Sequence, residues 1–152
     1  MVRISLIDPL YHQQSFNAAE KVKSMSLLIP VSAGELLDKL TILLIKKERI
    51  TESRKRENIS RELGQLESVY QERIKQSVEL DVLISELRLV NERLWDIEDE
   101  IRSCERDRDF GNTFVELARS VYITNDRRAE LKYQINGLLG SELVEEKSYE
   151  AY

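Results

Sequence analysis

The chain has 152 residues, a formal net charge of -5 at pH 7, 34% charged side chains and 41% hydrophobic ones. That length suits one domain, and the mixture is typical of long amphipathic helices rather than of disorder. Five glycines and two prolines, Pro9 and Pro30, are too few turn residues for an all-β or Rossmann-like plan. The negative charge gives no reason to expect a nucleic-acid partner; the basic excess between Lys46 and Arg61 reads as a solvated helix end. Cys104 is alone, so it forms no intrachain disulfide and no cysteine metal cluster. No apolar run reaches the roughly 18–20 residues of a membrane span, and the first residues lack the pattern of a secretory signal. A cytoplasmic protein without a membrane partner is the expectation.

Residues 1–24 read as an appendage with a short helix near Phe16–Lys23, and the helical domain is expected over 25–140. Ser32-Ala33-Gly34-Glu35 is a capping box that starts a first helix, with Ile29 or Val31 packing beside Leu36 as a staple. Leu36, Leu37, Leu40, Leu43, Leu44 and Ile50 make that helix apolar on most sides, so it is expected to be the most buried element. Thr51-Glu52-Ser53 turns the chain and caps a second helix, on which Ile59, Leu63, Leu66, Tyr70 and Ile74 recur at helical spacing. Gly64 inside it points to a close neighbour or a kink.

Leu80, Leu83, Leu87, Val90, Leu94, Ile97, Ile101 and Cys104 alternate in steps of three and four. Over about 30 residues this is the seam of a coiled-coil-like helix roughly 45 Å long. A short link, Arg108 to Asn112, then forces an antiparallel partner. That partner carries Phe114, Leu117, Val121, Thr124, Arg128, Leu131, Ile135 and Leu138, and Gly137 and Gly140 end it. An acidic tail follows over 141–152, with Leu143 and Val144 able to dock on the body. The fold class is therefore all-α: an antiparallel helical bundle with a long helical hairpin, against which the first pair packs.

Folded about Phe110 and Gly111, this hairpin brings the polar stretch Asn125, Asp126 and Arg128 level with Arg93 to Ile97. A buried arginine needs a carboxylate; Asp96 or Glu98 is the expected partner of Arg128, roofed by Trp95. One reading makes this cluster a device that fixes the register of the seam. The other makes it a ligand site built from Asp38, Lys39, Trp95, Asp96, Asp99, Asn125, Arg127 and Arg128. The pairs Glu35/Asp38 and Asp96/Asp99 share helical faces, as carboxylates that hold Mg²⁺ do. Such spacings arise by chance among 28 acidic residues, however, so no metal and no cofactor is expected. The only histidine, His12, lies in the appendage, which rules out Glu-x-x-His metal pairs in the body.

Ile29-Pro-Val-Ser-Ala-Gly-Glu-Leu-Leu-Asp-Lys-Leu-Thr-Ile-Leu43 resembles the opening of an uncharacterised bacterial domain-of-unknown-function family. Asn91-Glu-Arg-Leu-Trp-Asp-Ile-Glu-Asp-Glu-Ile-Arg102 with Cys104-Glu105 is similar to its central motif. Phe114-Val-Glu-Leu-Ala-Arg-Ser-Val-Tyr122, Asn125-Asp-Arg-Arg-Ala129 and Gly140-Ser141 through Glu145-Glu-Lys-Ser-Tyr149 resemble the rest. The likeness spans about 29–149 and carries no activity with it; it implies a domain that begins near Met25. The functional expectation is a non-enzymatic interaction module that forms a homodimer or binds a protein partner. The alternative is a small helical enzyme or binding protein for an anionic, phosphorylated or carboxylate metabolite, with Mg²⁺ as a possible requirement.

Overall fold

Helix-compatible sequence runs unbroken beyond Pro30, and the computed structural model, which describes residues 27–146 and Ser148, realises it as four helices. These are α1 (Ala33–Arg49), α2 (Ser53–Arg73), α3 (Val78–Asp107) and α4 (Asn112–Leu139), with no strand among the described residues. The appendage expected over 1–24 lies outside them.

α3 and α4 share the most extensive contact in the molecule. Residues 108–111 join them, with Arg108 in the left-handed region at φ 53° and its N–H closing on the carbonyls of Cys104 and Glu105. Four residues cannot reach the far end of a 30-residue helix, so α4 folds back beside α3. α1 packs on both, and α2 closely approaches α1 alone. The order is therefore a two-helix layer, then α1, then α2.

That position makes α1 the element with most of its circumference covered, as its apolar residues require. Leu36, Leu37, Leu40, Leu43 and Ile45 are all buried. Ile59 and Leu63 of α2 join them from outside, and Leu80, Leu87, Leu131 and Ile135 from the hairpin. Along the seam of α3 only Leu80, Leu87 and Ile97 are fully covered; Leu83, Val90, Leu94, Ile101 and Cys104 are half-buried. Leu83 and Val90 pack against the same apolar cluster.

Several helix-end expectations need correction. Ser32 Oγ accepts the Glu35 N–H at 3.2 Å, but the Glu35 carboxylate turns away to the Lys132 ammonium instead of returning to Ser32. Only half of the capping box forms, because a buried cation competes for its second half. Ile29 and Val31 stay exposed and staple nothing. The α2 N-cap is Glu52, with no side-chain cap. α4 runs past Gly137 to Leu139 and ends on Gly140, at φ 62°, where Ser141 N–H reaches back to the Asn136 carbonyl at 2.9 Å.

The close helix approach read into Gly64 occurs at Gly34. A methyl group on Gly64 would meet nothing within 4 Å, whereas one on Gly34 would sit 2.7 Å from the Lys132 carbonyl oxygen and 3.0 Å from Asn136 Oδ1. Asn136 Oδ1 accepts the Gly34 N–H at 2.7 Å, and Ser141 Oγ accepts that of Ala33 at 3.3 Å. The first turn of α1 is thus capped by α4 as well as by its own serine, which satisfies amides that a helix start leaves open. Gly34→Ala is expected to force α1 off α4 and destabilise by about 1–3 kcal/mol, although alanine is the better helix former. Gly64→Ala should be neutral or stabilising by up to about 1 kcal/mol. Denaturant unfolding of the two variants checks the pair.

Candidate polar site

Among the described residues, Asp38 is the one carboxylate carried into the core: 3% exposed, on the face of α1 that meets α3 and α4. An isolated charge there would cost several kcal/mol, and the surrounding helices supply what it needs. Arg128 of α4 grips it bidentately, Nε to Oδ1 at 2.9 Å and Nη2 to Oδ2 at 2.5 Å. Asn91 of α3 donates Nδ2 to Oδ1 at 2.9 Å, and also to Thr41 Oγ1 at 3.0 Å. Thr41 passes its own hydroxyl hydrogen to the Asp38 carbonyl at 2.8 Å. Asn125, one turn before Arg128, accepts from Nη1 at 3.4 Å. One carboxylate thereby ties three helices together. Hydrogen bonding to Asp38 holds the Arg128 guanidinium above its ordinary range, against the lowering that desolvation brings.

This corrects the pairing expected from the sequence. Arg128 takes Asp38 rather than Asp96 or Glu98, because α1 lies between the two polar stretches of the hairpin. Asp96 points outward to Arg49 of α1, whose guanidinium also lies 5.8 Å from the centroid of the Trp95 ring. Glu98 pairs with Arg102 one turn on, at 3.1 Å. Trp95 therefore stacks under Arg49 and does not roof Arg128.

Of the eight residues proposed as a site, five converge. Trp95, Asp99, Asn125 and Arg128 line one cleft of about 430 Å³, and Asp38 lies beneath it, bound to Arg128. Asp96 is drawn off by Arg49. Lys39 faces α2, with Glu62 at 2.6 Å. Arg127 sits at the rear of the hairpin between Glu86 and Glu130, each at 2.6 Å. Sequence reasoning missed Asn91 and Thr41. Thr41 had a signal, one turn after Asp38 inside an apolar stretch; Asn91, followed by the charged Glu92 and Arg93, had none.

A second buried charge lies near the first. Lys132 is 8% exposed and holds Glu35 of α1 together with Glu145 of the C-terminal segment, the latter at 2.6 Å. Burial would lower its pKa, but the hydrogen bonds from Glu145 and Glu35 and the charges of Glu35 and Asp38 outweigh this, so the ammonium titrates above the ordinary lysine value. Leu143 and Val144, expected to dock, are 45% and 40% exposed and do not enter the core. Ser141 and Glu145 anchor the tail by polar contacts instead.

Among the described residues, no group of histidine, cysteine, aspartate or glutamate side chains is placed to hold a metal ion. Asp38 and Glu35, spaced like metal-binding carboxylates, are both turned to cations of α4. No family model, no curated protein and no solved structure matches the chain.

Two outcomes follow from this geometry. Arg128→Met leaves Asp38 buried with an uncompensated charge and is expected to cost about 3–5 kcal/mol in denaturant unfolding. Replacing both partners, Asp38→Leu with Arg128→Met, should recover most of that loss, since the attraction of a buried pair barely offsets its desolvation. A single variant as stable as the wild type would show that the pair holds nothing together. For Lys132, a folded-state pKa above the unfolded one means that its stabilising contribution is complete below the ordinary lysine pKa of about 10.4 and disappears as pH rises through the folded value. Stability measured from pH 9 to 12 should therefore fall less steeply in Lys132→Met than in the wild type.

Proposed function

We propose that this chain is a non-enzymatic helical interaction module that pairs with a second copy of itself through the rear face of α3 and α4. The observation that carries the reading is which side of the hairpin is covered. α1 and, beyond it, α2 occupy one side only. Arg88 and Asn91 of α3 reach toward α1, with Arg88 bound to Glu48. Val82 and Leu89 lie seven residues apart, about half a turn around α3 from that contact, and are 52% and 64% exposed. Ile123 lies on α4 roughly opposite the Arg128 face and is 46% exposed. The ion pair of Arg127 with Glu86 bridges the two helices on this same rear side.

The face thus has apolar side chains on both helices and an ordered charge pair at its centre. Exposed apolar groups gathered on the uncovered side of a domain are candidates for association. A two-fold arrangement is the simplest use of them, because one patch then serves both partners. Leu89 on one copy can cover Ile123 on the other, and the reciprocal contact follows by symmetry.

Light scattering at micromolar concentration is expected to give twice the chain mass of 17.8 kDa. Leu89→Glu with Ile123→Glu should give the monomer mass while leaving the far-ultraviolet dichroism unchanged, since neither side chain enters the core. A wild-type mass of 17.8 kDa would overturn the proposal.

A further inference from the structure

The cleft over the Asp38 network lies on the covered side of the hairpin, away from the proposed pairing face, and several hydrogen-bonding groups in it are unused. Asn91 lines it although only 6% exposed. Its Nδ2 donates to Asp38 and Thr41. The carboxylate can only accept, so this amide is fixed with Oδ1 at its other end. Every fully enclosed side-chain nitrogen or oxygen among the described residues has a partner. Asn91 Oδ1 accepts nothing from those residues, so it opens onto the cleft as an unused acceptor.

Unused donors stand across the cleft on α4. Arg128 engages Asp38 through Nε and Nη2 and Asn125 through Nη1, which leaves one N–H on each terminal nitrogen. Asn125 accepts through Oδ1, so its amide nitrogen is left to donate. Asp99 adds carboxylate acceptors on the α3 side. Acceptors and donors therefore line the cleft at separate points, on different helices.

Shape and charge narrow the ligand. Asn91, Trp95 and Asp99 follow one another in four-residue steps and Arg102 closes the row, so the cleft runs along about 16 Å of α3. Leu94 and Trp95 make the middle of that row apolar. The formal charges of Glu98, Asp99, Arg102 and Arg128, which line it, cancel, and Asp38 beneath further offsets Arg128. A phosphorylated or carboxylate metabolite finds no net positive charge here. The volume of about 430 Å³ falls in the range of small-molecule sites.

An elongated, uncharged ligand must then serve scattered donors and acceptors around an apolar middle. A peptide backbone carries its donors and acceptors in fixed alternation. A hydroxyl rotates to donate or to accept as its surroundings require, and a sugar ring sets many hydroxyls around a face of C–H groups. We infer that this cleft binds a neutral oligosaccharide of two or more rings. Ring C–H groups lie against Trp95 and Leu94, and hydroxyls meet Asn91 Oδ1, Asp99, the Asn125 amide and the spare N–H groups of Arg128.

The chain has a single tryptophan, Trp95, so its emission reports the cleft directly. Maltose and cellobiose are titrated separately into the full chain. At least one is expected to give a saturable change in that emission and a saturation-transfer signal on its ring protons. Glucose, covering only part of the row, should bind about tenfold more weakly. Trp95→Leu, at a half-buried position outside the core, should keep the far-ultraviolet dichroism and lose the saturation-transfer signal. Asp99→Ala, at an exposed position, should keep the fold and weaken binding severalfold. Absence of both signals with either disaccharide at tens of millimolar would overturn the assignment, as would unchanged binding in either folded variant. Tighter binding of glucose 6-phosphate than of both disaccharides would return the cleft to anionic metabolites and equally defeat it.

Discussion

A single carboxylate, Asp38, sets the terms on which the helices of this protein meet. Burying it demands a full set of donors, and those donors stand on two other helices: Arg128 on α4 and Asn91 on α3. Apolar packing between smooth helical surfaces tolerates sliding and rotation, since leucine replaces leucine one turn along. A bidentate guanidinium contact tolerates neither, because both oxygens must be matched at once. The network therefore fixes the rotation of α1 over the hairpin and its position along it. Gly34 fixes the approach distance a turn earlier, where any side chain would strike the Lys132 carbonyl.

This arrangement explains why polar groups interrupt the seam at Asn91 and at Arg128. They face α1 rather than each other. The consequence for stability is asymmetric: the intact network contributes little beyond what an apolar layer would, yet breaking it from one side is costly. Its value lies in defining one arrangement of α1 among several that the leucines alone would accept.

The helices were legible in the sequence to a large extent. The 3.6-residue recurrence of apolar positions located α1, α2, α3 and α4, and Ser32 and Gly140 marked two of their ends. The α3 face that carries Leu80, Leu87 and Ile97 was equally plain, but not that the other five positions of that seam would be only half-buried. The cluster around Arg128 was legible as a place but not as a set of contacts. Level pairing along a two-helix hairpin pointed to Asp96 and Glu98, and only the wedging of α1 over the hairpin brings Asp38 within reach. Gly34 was missed for a related reason. Inside a capping box a glycine looks like a tolerated helix residue, and the neighbour that requires it is 98 to 102 residues away in the chain. Long-range polar pairing and close helix crossing depend on tertiary geometry that local periodicity does not encode.

The central claim is that the buried carboxylate locks α1, and through α1 the outer helix α2, onto the hairpin. Native-state hydrogen exchange of Asp38→Asn compared with the wild type tests it most directly, since this change removes the charge without altering the shape. The account predicts that amides of α1 and α2 lose protection together, while those around Ile97 and Leu117, far along the hairpin, keep theirs. Uniform loss across all four helices, or unchanged protection in α1, would contradict it.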